Sequence, residues 1–364
     1  MPQYSVISPG DPAPWFRTRT STNQNYAFNT VGGRYAVLCF LGSVARPHSK
    51  AAVIEVLKHP QIFDDTKASF FGVSNDPSDQ GRVVARYPGY RYFWDFDGAV
   101  ARQFGAWPVD GEEHGLGAVK SRWVVLDPTL RVLAVIPFEA DMSDIAHVIR
   151  FVDALPSPHQ FAGFELQAPI LVLPNVFEPD FCKMLIGLYE AHGGEESGFM
   201  RDISGKTMMT HDHGHKRRKD YVINDPTVIE ATQARILRRV IPEISKVHQF
   251  LATRMERYIV CCYASEDEAH FRRHRDNTTA GTAHRRFAVS VNLNDDFDGG
   301  EVSFPEYGPR SFKAPIGGAV VFSCSLLHAV STVTRGRRYA FLPFLYDDAA
   351  AKIREANNAM LGDG

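Results

Sequence analysis

Cysteine is scarce in this chain and follows no pairing pattern. Its 364 residues hold five (Cys39, Cys182, Cys261, Cys262 and Cys324), an odd number with no CxxC spacing, and four of them sit inside apolar runs. That argues against a disulfide framework and for a reducing compartment. An excess of one charge is also lacking. Forty Lys and Arg against 42 Asp and Glu leave a formal net charge of -2, which removes a whole-chain nucleic-acid or polybasic membrane role. No apolar run is long enough to span a bilayer: the longest, Ala314 to Val330, is broken by Gly317, Gly318, Ser323, Ser325 and His328. The first sixteen residues have neither a basic n-region nor an apolar h-region, so no signal peptide is expected, and a soluble, cytoplasmic protein is. Internal repeats and low-complexity segments are absent as well.

What is present is an ordinary globular composition, 44% apolar and 23% charged, in a length that suggests two domains. The chain divides near Leu155-Pro156-Ser157-Pro158, where two prolines end a helical period over Asp144–Leu155. Upstream, strands at Tyr35–Leu41 and Ala68–Val73 alternate with helical periods at Ser49–Lys58 and Gly98–Gly105. Trp123–Asp127 and Val132–Pro137 read as a hairpin. This predicts α/β layering around a mixed sheet. Downstream, helical patterns at Pro179–Ala191 and Asp225–Glu256 precede short strands at Tyr258–Tyr263, His270–Arg275, Phe287–Asn294, Glu301–Phe304, Ala319–Phe322 and Arg338–Leu345. Helices followed by a run of strands predict a sandwich or barrel backed by helices. The expected boundaries are 1–155 for the first domain, 156–168 for a linker, 169–350 for the second domain and 351–364 for a C-terminal tail.

The chemistry concentrates between Cys261 and Tyr346. His274-Arg-Asp276 places two metal-ligating residues on one face if the segment is extended, because strand side chains alternate. His328 follows 54 residues later, at the end of the run beginning Val320-Val-Phe-Ser. A second strand can bring it across to complete two imidazoles and one carboxylate. Such a facial set holds Fe(II) and leaves positions open for a bidentate 2-oxo acid and O2. The alternative is a surface HxD pair and an unrelated strand histidine. Ten residues past His328 stands Arg338, a strand cation that can pair bidentately with a distal carboxylate. Its neighbours Arg335 and Arg337 leave open which of the three faces inward. Between the ligands, Val291 to Pro305 with Asp298-Gly299-Gly300 carries a hairpin signal. Ala314 to Phe322 is a second turn, feeding the strand that would carry His328.

The order Tyr263, Phe271-Arg-Arg-His274-Arg-Asp276, Asn292-Leu-Asn, Gly299-Gly300, Phe304-Pro, Leu327-His328 and Gly336-Arg-Arg338-Tyr339 resembles the prolyl-4-hydroxylase-like Fe(II)/2-oxoglutarate dioxygenases, over roughly Pro169 to Asp348. The resemblance implies a double-stranded β-helix (jelly roll) with supporting helices. It implies iron on His274, Asp276 and His328, and 2-oxoglutarate clamped by Arg338, with Tyr263 and Asn292 as further contacts. It also brings ascorbate as a candidate reductant. The substrate is expected to be a small molecule, an amino acid or a prolyl residue, and the basic residues Lys216–Lys219, Arg272, Arg273 and Arg285 favour an anionic one. Glu266-Asp267-Glu268-Ala269 lengthens the usual Tyr-to-His spacing. Asp276 stands where related halogenases carry a small residue that admits chloride, which points to hydroxylation.

The first half, Ser8 to Leu155, resembles the peroxiredoxin/thioredoxin-like redoxins through Pro9-Gly-Asp-Pro-Ala-Pro-Trp-Phe, Tyr35-Ala-Val-Leu-Cys-Phe-Leu, Phe71-Gly-Val-Ser-Asn-Asp and Arg122-Trp-Val-Val-Leu-Asp-Pro. This implies an α/β thioredoxin-like fold. Where that family places its peroxidatic cysteine, this chain reads Ser43-Val-Ala-Arg-Pro-His-Ser49. A hydroxyl cannot replace a thiolate in attack on peroxide. The domain is therefore expected to serve docking, partner selection or homodimerisation. Four smaller readings stay open. His211, His213 and His215 form a mobile lid or a second metal site, one of Arg285 and Arg286 points to the barrel mouth, and Cys324 shares strand parity with His328. Cys261 and Cys262 straddle one strand. Two rival functions are a thiol peroxidase acting through Cys39, and a non-catalytic protein in which iron and 2-oxoglutarate only regulate binding.

Overall fold

The computed structural model describes residues 2–110, 115–203 and 205–358. The chain divides into two units, Met1–Gln167 with Pro305–Gly308, and Ala168–Phe304 with Pro309–Gly364. No helix among the described residues is long and apolar enough to cross a membrane.

The first unit is built on five strands, β1 (Tyr35–Gly42), β2 (Ala68–Ser74), β3 (Tyr90–Trp94), β4 (Arg122–Leu126) and β5 (Val132–Pro137). Their order is β3-β2-β1-β4-β5, parallel among the first three and antiparallel at β4 and β5. All eight residues of β1 are buried, as a central strand covered on both faces requires. Alternation then splits the core in two. Val37, Cys39 and Leu41 pack with α1 (Pro47–Val56) and with the helix Ser143–Ala154, while Ala36, Leu38 and Phe40 pack with Phe16, Phe28 and Phe104. The strand β3 was not among those expected. It forms the edge strand beside β2, and within it Arg91 donates Nη1 and Nη2 to the two oxygens of Asp65 at 2.7 and 2.6 Å. Residues 156–168, expected as a linker, remain with this unit as far as Gln167, and Phe161 packs on its core.

The second unit opens with β6 (Leu171–Leu173) and α2 (Pro179–His192), followed by the ribbon β7 (Phe199–Ile203) and β8 (Lys206–Thr210). The helical pattern over Asp225–Glu256 is in fact two helices and a strand. Asp225 accepts from the Thr227 amide and starts α3 (Pro226–Arg239). Pro242 cannot continue it and instead opens α4 (Ile241–His248), and a short strand follows at Arg254–Glu256.

Two antiparallel sheets follow. The larger holds β10 (Lys219–Val222), β11 (Arg254–Glu256), β12 (Ile259–Ala264), β14 (Phe287–Asn292), β17 (Ala319–Ser323), β19 (Arg337–Phe341) and β20 (Phe344–Tyr346), with β6 on β17. The smaller holds β9 (Lys216–Arg217), β13 (His270–His274), β18 (His328–Val330), β15 (Val302–Ser303) and β16 (Ser311–Phe312), in that order.

This arrangement corrects four expectations. The segment around Gly299-Gly300 is no hairpin: β14 lies in the larger sheet and β15 in the smaller, so the chain crosses between sheets. Gly299 has φ +74, and a Cβ there would lie 2.0 Å from the Thr332 carbonyl oxygen, so only glycine permits the crossing. The strand feeding His328 ends at Ser323, and His328 begins another strand in the other sheet. Arg338–Leu345 breaks in two at Leu342-Pro343, where proline has no amide for the ladder. The expected tail is helical through α5 (Asp348–Asn357), capped by Asp347 and anchored by buried Ala350; residues 359–364 lie outside the described residues.

Asp65 supplies a test of the first unit. Burial raises its carboxyl, but hydrogen bonds from Arg91 and Ser69, with the charges of Arg91 and Arg34, more than offset this and hold it at about 2. A carboxylate depressed in the fold stabilises it above its unfolded pKa and loses that effect as pH falls toward the folded value. Asp65→Asn should therefore cost about 2 kcal/mol at pH 7, with the deficit shrinking below pH ~4 and vanishing near pH 2. The four tryptophans, Trp15, Trp94, Trp107 and Trp123, all lie in this unit, so urea unfolding followed by tryptophan fluorescence reports on it alone.

Candidate metal centre

The smaller sheet sets His274 and His328 opposite each other as register partners at the end of β13 and the start of β18. Asp276 lies in the turn just past β13, where its amide donates to the Cys324 carbonyl at 2.9 Å. Asn277 holds the Ser325 hydroxyl at 2.8 Å, and the Arg275 guanidinium donates to the Ser325 carbonyl. The turn is thus fastened to the 324–325 bend on both sides of the carboxylate. Ligand atoms of His274, Asp276 and His328 all lie within 4.8 Å of one another.

Each imidazole is oriented by the backbone two residues before it. His274 Nδ1 lies 2.7 Å from the Arg272 carbonyl oxygen, and His328 Nδ1 lies 3.0 Å from that of Leu326. A carbonyl oxygen only accepts, so Nδ1 carries the proton in both rings and Nε2 keeps its lone pair. The two Nε2 atoms face different oxygens of Asp276, each at 3.4 Å. Phe271 stacks on the His274 ring at 3.5 Å and Phe322 packs on His328 at 4.6 Å. Burial, then the His328 charge, push His274 down to about 4. Burial raises Asp276, but His328, His274 and Arg285 more than offset it and leave the carboxyl well below its usual range. Two neutral nitrogen donors and one anionic oxygen, converging from a single face, fit a divalent borderline metal with positions left open.

The pocket in front of these residues continues between the sheets to Tyr263, Ser290 and Arg338. Arg338 is 2% exposed. Its Nε donates to Asn292 Oδ1 at 3.0 Å and its Nη2 to Ser290 Oγ at 2.7 Å, and the guanidinium lies 5.4 Å from the centre of the Tyr263 ring. Among the described residues it makes no ion pair, so a deeply placed cation is held by neutral groups. Arg335 and Arg337 point away, to Asp298 and Glu266. The inserted Glu266–Ala269 stretch is taken up in a 3-10 turn at Ser265–Asp267, which leaves Tyr263 paired across from Arg338.

Other expected site residues are engaged outside the ligand set, some of them close to it. His213 meets Glu196 at 2.5 Å on the surface, and His215 packs between the rings of Phe199 and Phe271. Among the described residues no metal-ligating group includes them or His211. The basic run Lys216–Lys219 is no lid: it supplies β9 and the start of β10, with Lys216 buried and donating to Ser197 and Gly198. Arg285 is bound to Glu256 at 2.8 Å and lies over the Phe344 ring, while Arg286 donates to the Ala283 carbonyl. Cys324 sits in the bend after β17, outside the strand of His328, and burial followed by Asp276 pushes its thiol far up. Among the polar pocket residues, Ser290 and Arg257 were not anticipated, and Arg218 comes from the basic run Lys216–Lys219. Ser290 shares strand parity with Asn292, a signal that could have found it.

In the first unit, the junction that would carry a peroxidatic thiol holds two committed hydroxyls. Ser43 donates to Asp76 at 2.7 Å and Ser49 to the Leu41 carbonyl at 2.8 Å. Cys39 is fully buried, and burial followed by Asp144 pushes its thiol well up, which suits a structural residue.

Residues 255–346 match the family model of the 2OG-Fe(II) oxygenase superfamily, and residues 9–132 that of the AhpC/TSA family. Both resemblances read from the sequence are present. A PKHD-type hydroxylase of Cupriavidus metallidurans is 40% identical over 80 residues, covering 19% of this chain and 35% of that protein. The chain spans about a third or less of the length of the curated relatives it matches. Among solved structures, a prolyl hydroxylase from Trichoplax adhaerens, in complex with a peptide, aligns with TM-score 0.39 and 15% identity, over 52% of this chain and 87% of that one. The peroxidoxin BcpB of Mycobacterium tuberculosis aligns with TM-score 0.34 and 24% identity, over 41% and 96%.

The donor set makes a direct prediction. Purified protein should take up one equivalent of Fe(II) or Mn(II) in anaerobic equilibrium dialysis. Asp276→Ala should weaken that uptake by ~100-fold or more, since it removes a ligand and not merely the ligand's support, whose loss already costs ~10–100-fold.

Proposed function

We propose that the second unit is an Fe(II)- and 2-oxoglutarate-dependent hydroxylase whose two sheets form a double-stranded β-helix. One observation carries the reading. Both unprotonated Nε2 atoms are turned onto Asp276, in the same pocket as a buried arginine that has no carboxylate partner among the described residues. His274, Asp276 and His328 would hold the iron, which when bound supplies the centre at which O2 and the 2-oxo acid react to give succinate, CO2 and a hydroxylated C–H bond.

The chain's own part is placement. Arg338, aimed by Asn292, Ser290 and the Tyr263 ring, receives the far carboxylate of 2-oxoglutarate in a bidentate pair. Its guanidinium needs no reorganisation when the anion arrives, because the neutral partners already fix it. Phe271 and Phe322 cover the imidazoles and keep water from their outer faces. The substrate is a prolyl residue, an amino acid or another small molecule. The first unit, with no thiol at the peroxidatic position, serves docking or pairing.

The reading is tested by succinate formation with Fe(II), 2-oxoglutarate and ascorbate in the presence of cell extract, with +16 Da products sought by mass spectrometry. Succinate should disappear in His274→Ala. In Arg338→Gln the half-saturating concentration of 2-oxoglutarate should rise by ~30-fold or more, the usual result of deleting one partner of a buried charge pair. Turnover that persists in His274→Ala would remove the ligand assignment.

A further inference from the structure

Three guanidiniums line the one pocket: Arg218, Arg257 and Arg338. Buried cations demand anions, so the question is which anion each one has. Arg338 stands among neutral partners and awaits the far carboxylate of the co-substrate. Arg218 is satisfied within the protein, donating Nε and Nη2 to the two oxygens of Asp220 at 2.6 Å each. Arg257 reaches that same carboxylate from farther off, with Nη2 3.3 Å from the Asp220 Oδ2 already held by Arg218.

The charges therefore do not balance. The three pocket arginines meet two carboxylates, Asp276 in the lining and Asp220 behind it; the neighbouring Arg285 is matched by Glu256, and buried Lys216 has only neutral partners among the described residues. A divalent metal and a dianionic 2-oxo acid add nothing net, so one positive charge is left over, and by contact distance it belongs to Arg257. Its side chain keeps 29% of its surface accessible, against 3% for Arg218, so an incoming group can reach it. It lies near enough to Asp276 to feel that charge, and over the Phe344 ring at 5.4 Å. Burial and the Arg218 charge push its guanidinium down to about 10, which leaves it cationic at neutral pH. Its backbone takes φ +66, a left-handed conformation that residues with a Cβ rarely adopt and that persists where surrounding structure enforces it.

We infer that Arg257 anchors a carboxylate of the substrate, so that the hydroxylated molecule is a small carboxylic acid or free amino acid instead of a residue within a peptide chain. This deepens the oxygenase reading of the pocket and rests on it. The apolar walls at Phe322, Leu342 and Phe344 would receive the hydrocarbon part, holding it beside the metal ligands while the carboxylate is fixed by Arg257. An internal prolyl residue offers amides at that distance and no negative charge.

The test uses the full chain loaded with Fe(II) and 2-oxoglutarate. Free amino acids and small aliphatic acids are compared with their primary amides and with a proline-containing peptide blocked at both ends. The readouts are thermal shift without oxygen and succinate release in air. At least one acid should raise both, and its amide should need ~30-fold or more higher concentration. Arg257→Gln should raise the half-saturating concentration of the acid by a similar factor and abolish the preference over the amide. Arg257→Lys should recover part of it. Anaerobic titration of 2-oxoglutarate should change by less than ~3-fold in either variant, which also shows that the pocket is folded. Amide or blocked peptide acting as well as the acid would overturn the proposal. So would a wild type that turns over 2-oxoglutarate yet responds to no acid, or an Arg257→Gln that weakens 2-oxoglutarate as much as substrate. A wild type that neither binds 2-oxoglutarate nor forms succinate would remove the oxygenase reading, and this proposal with it.

Discussion

Each imidazole of the cluster gives its Nδ1 proton to the carbonyl oxygen two residues earlier, Arg272 for His274 and Leu326 for His328. This local contact is repeated on two strands, and the rest of the site depends on it. It sets the tautomer, and so decides that the lone pair of each ring faces Asp276 and not solvent. Because the acceptors are backbone atoms, the orientation is a property of the strand ends and does not rely on a further polar side chain. The third ligand is placed in the same way, through the Asp276 amide on the Cys324 carbonyl. A ladder irregularity between Phe271 and His274 lets β13 end in a ligand while its body stays paired. The arrangement is thus set by main-chain hydrogen bonds at one end of the smaller sheet and in the turns beside it.

The candidate cluster that the structure brings together was legible in the sequence because its chemistry is rare in combination: two histidines and an aspartate in a fixed order, followed by a strand arginine. The paths between them were not. Parity arguments worked within a strand, as for Cys261 and Cys262, which do fall into different surroundings, Cys262 in the helix-side core and Cys261 beside Arg218 and Arg338. They failed wherever the chain changed sheets. The run from Val320 to His328 reads as one strand, yet the bend at Cys324 breaks it, so the parity assigned to Cys324 relative to His328 had no meaning. Choosing among Arg335, Arg337 and Arg338 was open for a related reason. A one-residue slip turns every side chain of a strand to the other face, and only the observed pairing of Tyr263 with Arg338 fixes the register. Lys216 to Lys219 were expected to favour an anionic substrate as a group, but the structure buries Lys216 and Arg218 and leaves Lys219 exposed.

The first unit separates fold from chemistry. Its parallel strands, the two cores divided by β1 and the pairing of β4 with β5 all follow from buried apolar runs that need no reactive group. At the junction between β1 and α1, what remains is structural. The Asp144 carboxylate accepts from the Trp123 indole at 2.7 Å and meets His48 Nε2 at 2.9 Å, which ties that helix start to the sheet and to the helix Ser143–Ala154. A scaffold can carry such a core while the junction between β1 and α1 holds hydroxyls spent on Asp76 and Leu41.

In the second unit the decisive electrostatic element is a single carboxylate asked to serve two arginines. Asp220 sits on β10 next to β12 and is taken by Arg218, whose guanidinium also lies 5.7 Å from the Tyr263 ring and donates to its hydroxyl at 3.4 Å. The Tyr263 ring therefore stands between two cations, Arg218 and Arg338, and its π cloud eases their repulsion without neutralising either. The strong pairing of Arg218 is what leaves Arg257 underserved. Had Asp220 been shared evenly, the same net positive charge would be spread over both cations. Committing the carboxylate to the inner arginine moves the unmet demand outward, to the residue whose side chain an incoming molecule can touch. On the proposed reading, such a site would select for negative charge at Arg257 and for carboxylate geometry at Arg338.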